Sequence, residues 1–169
     1  MMVAVVDQTV FLKVEGRADF TSSVDLKKLL KELWKRGYSH FVFDLCQCQM
    51  MDSTFLGMLC GVALSFANGD PAGLSRCLEL VNPNARLRGI LETLGVAHLF
   101  KMVQRDHPRI DCYEPLAKGA DCTRMELVRD CLDAHQTLIT LNPENSAKFK
   151  DVTRFLAEDL KRLEASGES

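Results

Sequence analysis

The stretch that decides the fold is SHFVFDLCQCQMMDSTFLGMLCGVALSFANG, residues 39–69. Its first part, Ser39 to Leu45, is short, aromatic and β-branched, and stays apolar on both faces until Asp44, which predicts a central strand covered on both sides. Further on, Phe55, Leu56, Leu59, Val62, Ala63 and Phe66 recur at intervals of three and four, which predicts a helix ending near Asn68-Gly69. Asp52-Ser53-Thr54 falls where strand gives way to helix. That is the rim on which α/β proteins place functional groups, and a helix start there offers unpaired N–H groups that Ser53 or Asp52 can cap.

Toward the N-terminus, residues 3–6 and 9–15 read as a hairpin of two short strands joined at Asp7-Gln8, with Gly16 ending the second. The period then changes. Val24, Leu26, Leu29, Leu30, Leu33 and Trp34 predict a helix over about 21–36, capped by Thr21 or Ser22 and stopped by Gly37. A strand, a helix and a second strand in this order make a right-handed parallel crossover the default.

Toward the C-terminus, residues 75–81 predict a strand, and Pro83 starts a third helix that runs through Leu87, Ile90, Leu91 and Leu94 and closes at Gly95. A last short strand over 99–103 completes a domain of residues 1–105. The interval 106–120, with Pro108, Pro115 and Gly119, has no periodic pattern and reads as a linker. Beyond it, Met125, Val128, Leu132, His135, Leu138 and Ile139 form one apolar stripe, and Phe149, Val152, Phe155, Leu156, Leu160 and Leu163 form another. The expectation is a C-terminal helical hairpin over 121–165, with helices at 121–141 and 144–165. The fold class is therefore α/β: a mixed sheet of four to five strands with packed helices, plus that hairpin. Gly57 and Gly61 lie on one face of the second helix, where they are expected to allow close approach to the sheet.

Composition bounds the function. A chain of 169 residues, 47% hydrophobic, is long enough to build one substantial core. With 21 basic against 23 acidic residues, nothing global steers it to nucleic acid or to an anionic membrane surface. No apolar run approaches the length of a membrane span, and no secretory signal is visible, so a cytoplasmic protein is expected. The seven cysteines read as reduced small hydrophobes. Cys46 and Cys48 make a C-x-C pair, yet no second pair and no histidine cluster joins them, so no metal is expected.

Catalytic patterns are also missing. Ser53 lacks a G-x-S-x-G elbow, and His40, His98, His107 and His135 each read as packed or surface histidines rather than as activating bases. The glycines Gly57, Gly61, Gly69 and Gly73 form neither G-x-x-x-x-G-K-S/T nor G-x-G-x-x-G, so no nucleotide cofactor is expected. The chain does not read as an enzyme.

VFLKVEGRADF at 10–20, FVFDLCQCQMMDSTFLGML at 41–59, CLELVNPN at 77–84 and LRGILETLGVAHLF at 87–100 together resemble the STAS family, the domain of bacterial anti-sigma factor antagonists. The most specific part is D-L followed by M-D-S-T-F-L-G-M-L. The resemblance implies that Ser53 is an exposed phosphorylation site, and that Met51, Asp52, Ser53 and Thr54 form the partner-binding surface. It implies an ATP-binding serine kinase that is also an anti-sigma factor as partner, and a phosphoserine phosphatase that restores binding. The same domain resembles a soluble accessory subunit of lipid-transport ATP-binding-cassette systems, and stressosome-like scaffold proteins. The C-terminal helices depart from the family pattern, and are expected to cover the sheet, to dimerise the chain or to bind a partner.

Overall fold

The computed structural model describes residues 1–67, 77–106, 110–117 and 122–166. Strands β1 (Met2–Val6) and β2 (Thr9–Lys13) form the expected hairpin, turning at Asp7, whose φ is 52°. Strand β3 (Gly16–Ala18), helix α1 (Phe20–Lys35) and strands β4 (His40–Asp44) and β5 (Cys48–Met51) follow, then helix α2 (Ser53–Phe66). Strand β6 (Leu78–Val81), helix α3 (Ala85–Thr93), a 3-10 turn at Ala97–Leu99 and strand β7 (Lys101–Val103) complete the first part of the chain. The rest holds strand β8 (Glu114–Pro115) and helices α4 (Arg124–Leu141) and α5 (Asn145–Ser166).

The main sheet has the order β7-β6-β4-β2-β1-β8 and is mixed: β2, β4, β6 and β7 run parallel, while β1 is antiparallel to both its neighbours. Strand β4 lies at its centre, and Phe41, Val42, Phe43 and Asp44 are all buried, as an apolar strand flanked by parallel neighbours requires. Phe41 packs on Phe66 of α2 with centroids 5.5 Å apart, and Phe66 stacks on Trp34 of α1 at 4.1 Å, so one aromatic column joins the sheet to both helices. The sheet carries one strand more than expected. Glu114–Pro115, inside the interval read as a linker, pairs with Val3 and Met2, and Leu116 N–H donates to the Met1 carbonyl at 3.0 Å.

Several local expectations are corrected. Gly16, at φ 68°, opens a strand instead of closing one: β3 pairs with β5 in a separate two-stranded sheet. The cap of α1 is Asp19, not Thr21 or Ser22; Asp19 and Ser22 exchange side-chain and backbone bonds in a capping box. The Thr21 hydroxyl and nearby backbone N–H groups hold the Asp19 carboxyl below the usual carboxylate range. Helix α3 starts after its cap, Asn84, not at Pro83; the Asn84 amide accepts from Leu87 N–H and donates to the Cys48 carbonyl at 2.7 Å, tying α3 to β5. The expected helix end at Asn68-Gly69, the first residues of the strand expected at 75–81, and Gly73, His107, Pro108 and Gly119 lie outside the described residues.

The two C-terminal helices do not lie on the sheet. Helix α4 runs along α2, and α5 packs on α4. Helix α2 is buried almost all the way round, from Thr54 to Cys60 without a break, because the sheet takes one side and α4 the other. Gly57 marks the closest approach, and it faces α4 rather than the sheet: a Cβ there would stand 2.3 Å from the Ala134 carbonyl oxygen. Gly61 lies next to Thr137 on the same side. The turn into α5 is anchored separately. Asn145, fully buried, donates its amide to the Leu94 and Leu138 carbonyls, and Asn142 also reaches the Leu94 carbonyl, so the open end of α3 is satisfied by the C-terminal part of the chain. Lys27 on α1 pairs with Asp130 on α4 at 2.5 Å.

These contacts predict the effect of truncation. Ending the chain at residue 120 uncovers the Gly57 side of α2, so the melting temperature should fall by roughly 10 °C or more and the protein should aggregate. A truncated chain that melts like the full one in calorimetry, and stays monodisperse in light scattering, would contradict this packing.

Candidate functional site

The start of α2 is assembled from four elements. Strand β5 delivers Met51 into the core, and the chain turns outward at Asp52, whose extended backbone donates N–H to the Ala18 carbonyl of β3 at 3.0 Å. The Asp52 carboxylate then serves two helices. One oxygen accepts from Phe55 N–H at 2.7 Å and caps α2; the other accepts from Phe20 N–H at 3.1 Å, in the first turn of α1. Both donors are groups that helix geometry leaves without an intrahelical partner. Asp52 is thus a structural bracket as well as a neighbour of Ser53.

Ser53 is the first residue of α2. It is half-buried rather than exposed, because α4 crosses beside it. Its Oγ lies 3.1 Å from Nε2 of His135, and Nδ1 of His135 lies 2.7 Å from the Cys131 carbonyl. A carbonyl only accepts, so Nδ1 carries the proton, and in the neutral ring Nε2 accepts from the Ser53 hydroxyl. The imidazole is 5% exposed and meets the Phe149 ring edge-on at 4.8 Å. Both of its nitrogens and one flank are therefore held.

The remaining expected residues turn inward. Met51 is 2% exposed and belongs to the core, while Thr54 is 8% exposed. Of the four residues expected at a partner surface, Asp52 and Ser53 keep access to solvent. Sequence reasoning read His135 as a packed histidine but missed its contact with Ser53. Its place on the apolar stripe of α4 signalled burial, and no spacing connects it to a serine 82 positions earlier.

A serine hydroxyl bonded to an oriented imidazole resembles a nucleophile with its base. The nearby groove of about 400 Å³ between α1, α2 and α4 is lined by Lys27, Lys31, Met58 and Asp130 among others, and not by Ser53 or His135. Among the described residues no group of histidine, cysteine or acidic side chains is placed to hold a metal ion. Cys46 is exposed, and burial pushes the Cys48 thiol up to about 11, so the C-x-C pair does not present two thiolates together. The site offers a half-buried hydroxyl at a helix start, held by His135, with a carboxylate beside it.

Residues 1–104 match the family described as Mlab, STAS domain. The chain belongs to the STAS family. The Thermotoga maritima protein TM1081 is similar in structure: its crystal form is 20% identical with a TM-score of 0.51, covering 61% of this chain and 84% of its own. Its solution form is also 20% identical, with a TM-score of 0.52 over 60% and 78% of the two chains. The anti-sigma factor antagonist SpoIIAA of Bacillus, in its unphosphorylated form, is 18% identical with a TM-score of 0.46 over 61% and 86%. No curated protein is similar to the chain in sequence. Helices α4 and α5, and with them His135, lie beyond the residues that match the family. Among the described residues no helix is long and apolar enough to cross a membrane.

The bracket predicts a graded response to substitution. Asp52→Ala removes acceptors from two helix starts and should cost about 1–3 kcal/mol in urea denaturation, while Asp52→Asn, which keeps one acceptor oxygen, should cost less. Equal stability of the alanine variant and the wild type would reduce the carboxylate to a bystander.

Proposed function

We propose that the chain is a phosphorylation-regulated protein-binding module, an anti-sigma factor antagonist in a partner-switching pathway, with Ser53 as the phosphoacceptor. The observation that carries this reading is the placement of Ser53 at the first position of α2, where the Asp52 bracket fixes its backbone and leaves its side chain at the rim. The unmodified surface around Asp52 and Ser53 binds an anti-sigma factor that is also an ATP-binding serine kinase. A phosphate adds about −1.5 to −2 charges beside Asp52, and like charge with the cost of desolvation removes that binding. A phosphoserine phosphatase restores it. The partners act on the chain as substrate and supply the catalytic groups.

A second reading, an accessory STAS subunit of a lipid-transport ATP-binding-cassette system, is favoured by the word Mlab in the description of the matching family. The two readings differ in one measurable respect. Incubated with ATP and its cognate serine kinase, the protein should gain one phosphate, mapped by peptide mass to Ser53 and absent from a folded Ser53→Ala variant. Phosphate confined to Thr54 or Thr21 would refute the assignment. Stable co-purification with an ATPase, unaffected by Ser53→Ala, would favour the second reading.

A further inference from the structure

Ser53 is closed by a part of the chain that lies outside the matched family region. His135 holds its hydroxyl, and one turn further along α2 the Gly57 contact excludes even a methyl group between α2 and the Ala134 backbone. Ser53 and Gly57 are four residues apart and share a helix face. A phosphate on Ser53 is far larger than that methyl. We propose that helices α4 and α5 are a phosphate-sensitive cover: a seated α4 shields Ser53 through His135, and a phosphate on Ser53 unseats α4. This inference rests on the reading of Ser53 as the phosphoacceptor and adds the device that regulates access to it.

Volume carries the case, because Asp130 on α4 is already paired with Lys27 of α1. The attraction of the α2 start for an anion is present with α4 seated or displaced, so it does not favour the seated form. Among the described residues, the polar contacts that seat α4 near Ser53 are Ser53 to His135 and, from α1, Lys27 to Asp130. The anchors of Asn142 and Asn145 on Leu94 stand apart from Ser53, at the end of α3, and leave the pair tethered when α4 moves.

Two measurements on the full chain need no kinase. Amide hydrogen exchange over residues 124–141, read by mass spectrometry, should be about tenfold or more faster in Ser53→Asp than in wild type, and little changed in Ser53→Ala. Alkylation of a Ser53→Cys variant by iodoacetamide, mapped to that residue, should be about fivefold or more faster when His135→Ala or Gly57→Ala is added. His135→Gln, which keeps an acceptor within reach, should restore slow alkylation, and Val81→Ala, a core change remote from α4, should leave it slow even where it lowers the melting temperature. Unchanged protection of α4 in Ser53→Asp, or alkylation indifferent to both unseating variants, would overturn the cover. The two readings fail separately. If a kinase phosphorylates Ser53 and α4 keeps its protection in the product, the cover falls and the phosphoacceptor stands. If Ser53→Asp frees α4 in a chain that the kinase never modifies at Ser53, the cover stands and the phosphoacceptor falls.

Discussion

The carboxylate of Asp52 is the junction on which the rest depends. It closes the start of α2 with one oxygen and the start of α1 with the other, while its backbone N–H joins β3. Each bond alone is worth about 1 kcal/mol, but together they set the relative position of two helices and the small β3-β5 sheet. Ser53 inherits its place from this bracket. Its hydroxyl stands one residue after a fixed carboxylate, at the positive end of a helix.

The second constraint is the close passage of α4 over α2. A helix as apolar as α2 cannot face water, and the sheet covers only one of its sides. The C-terminal helices supply the other side, and Gly57 provides the space that brings the two backbones together. Covering α2 and approaching Ser53 are thus one packing event, and this is how a histidine from outside the matched family region comes to lie on the phosphoacceptor of the proposed switch.

The parts of this arrangement that were legible in the sequence are those with strong periodicity. The strand ending at Asp44, the helix beginning at Ser53, the two C-terminal stripes and the Asp52-Ser53-Thr54 corner could all be read from the residues. The parts that were not legible have physical reasons. Strands β3 and β5 span three and four residues, too short for alternation to register, and are held by the pairing of Gly16 with the turn at Gln47. Glu114–Pro115 joins the sheet edge through two residues with no strand-like pattern. Gly57 and Gly61 were expected against the sheet because a helix apolar on all sides does not reveal which neighbour lies where. His135 was invisible as a site residue for the same reason that makes it effective: it is buried, and its partner lies in a distant element.

In the proposed reading, the Asp52 bracket and the position of Ser53 make a surface whose binding is governed by one phosphate. The most direct measurement is the affinity of the anti-sigma kinase for the unmodified chain and for the chain phosphorylated at Ser53, by titration calorimetry with a non-hydrolysable nucleotide present. The account predicts tight binding of the unmodified form and a loss of about a hundredfold or more on phosphorylation. Equal affinity for the two forms would contradict it.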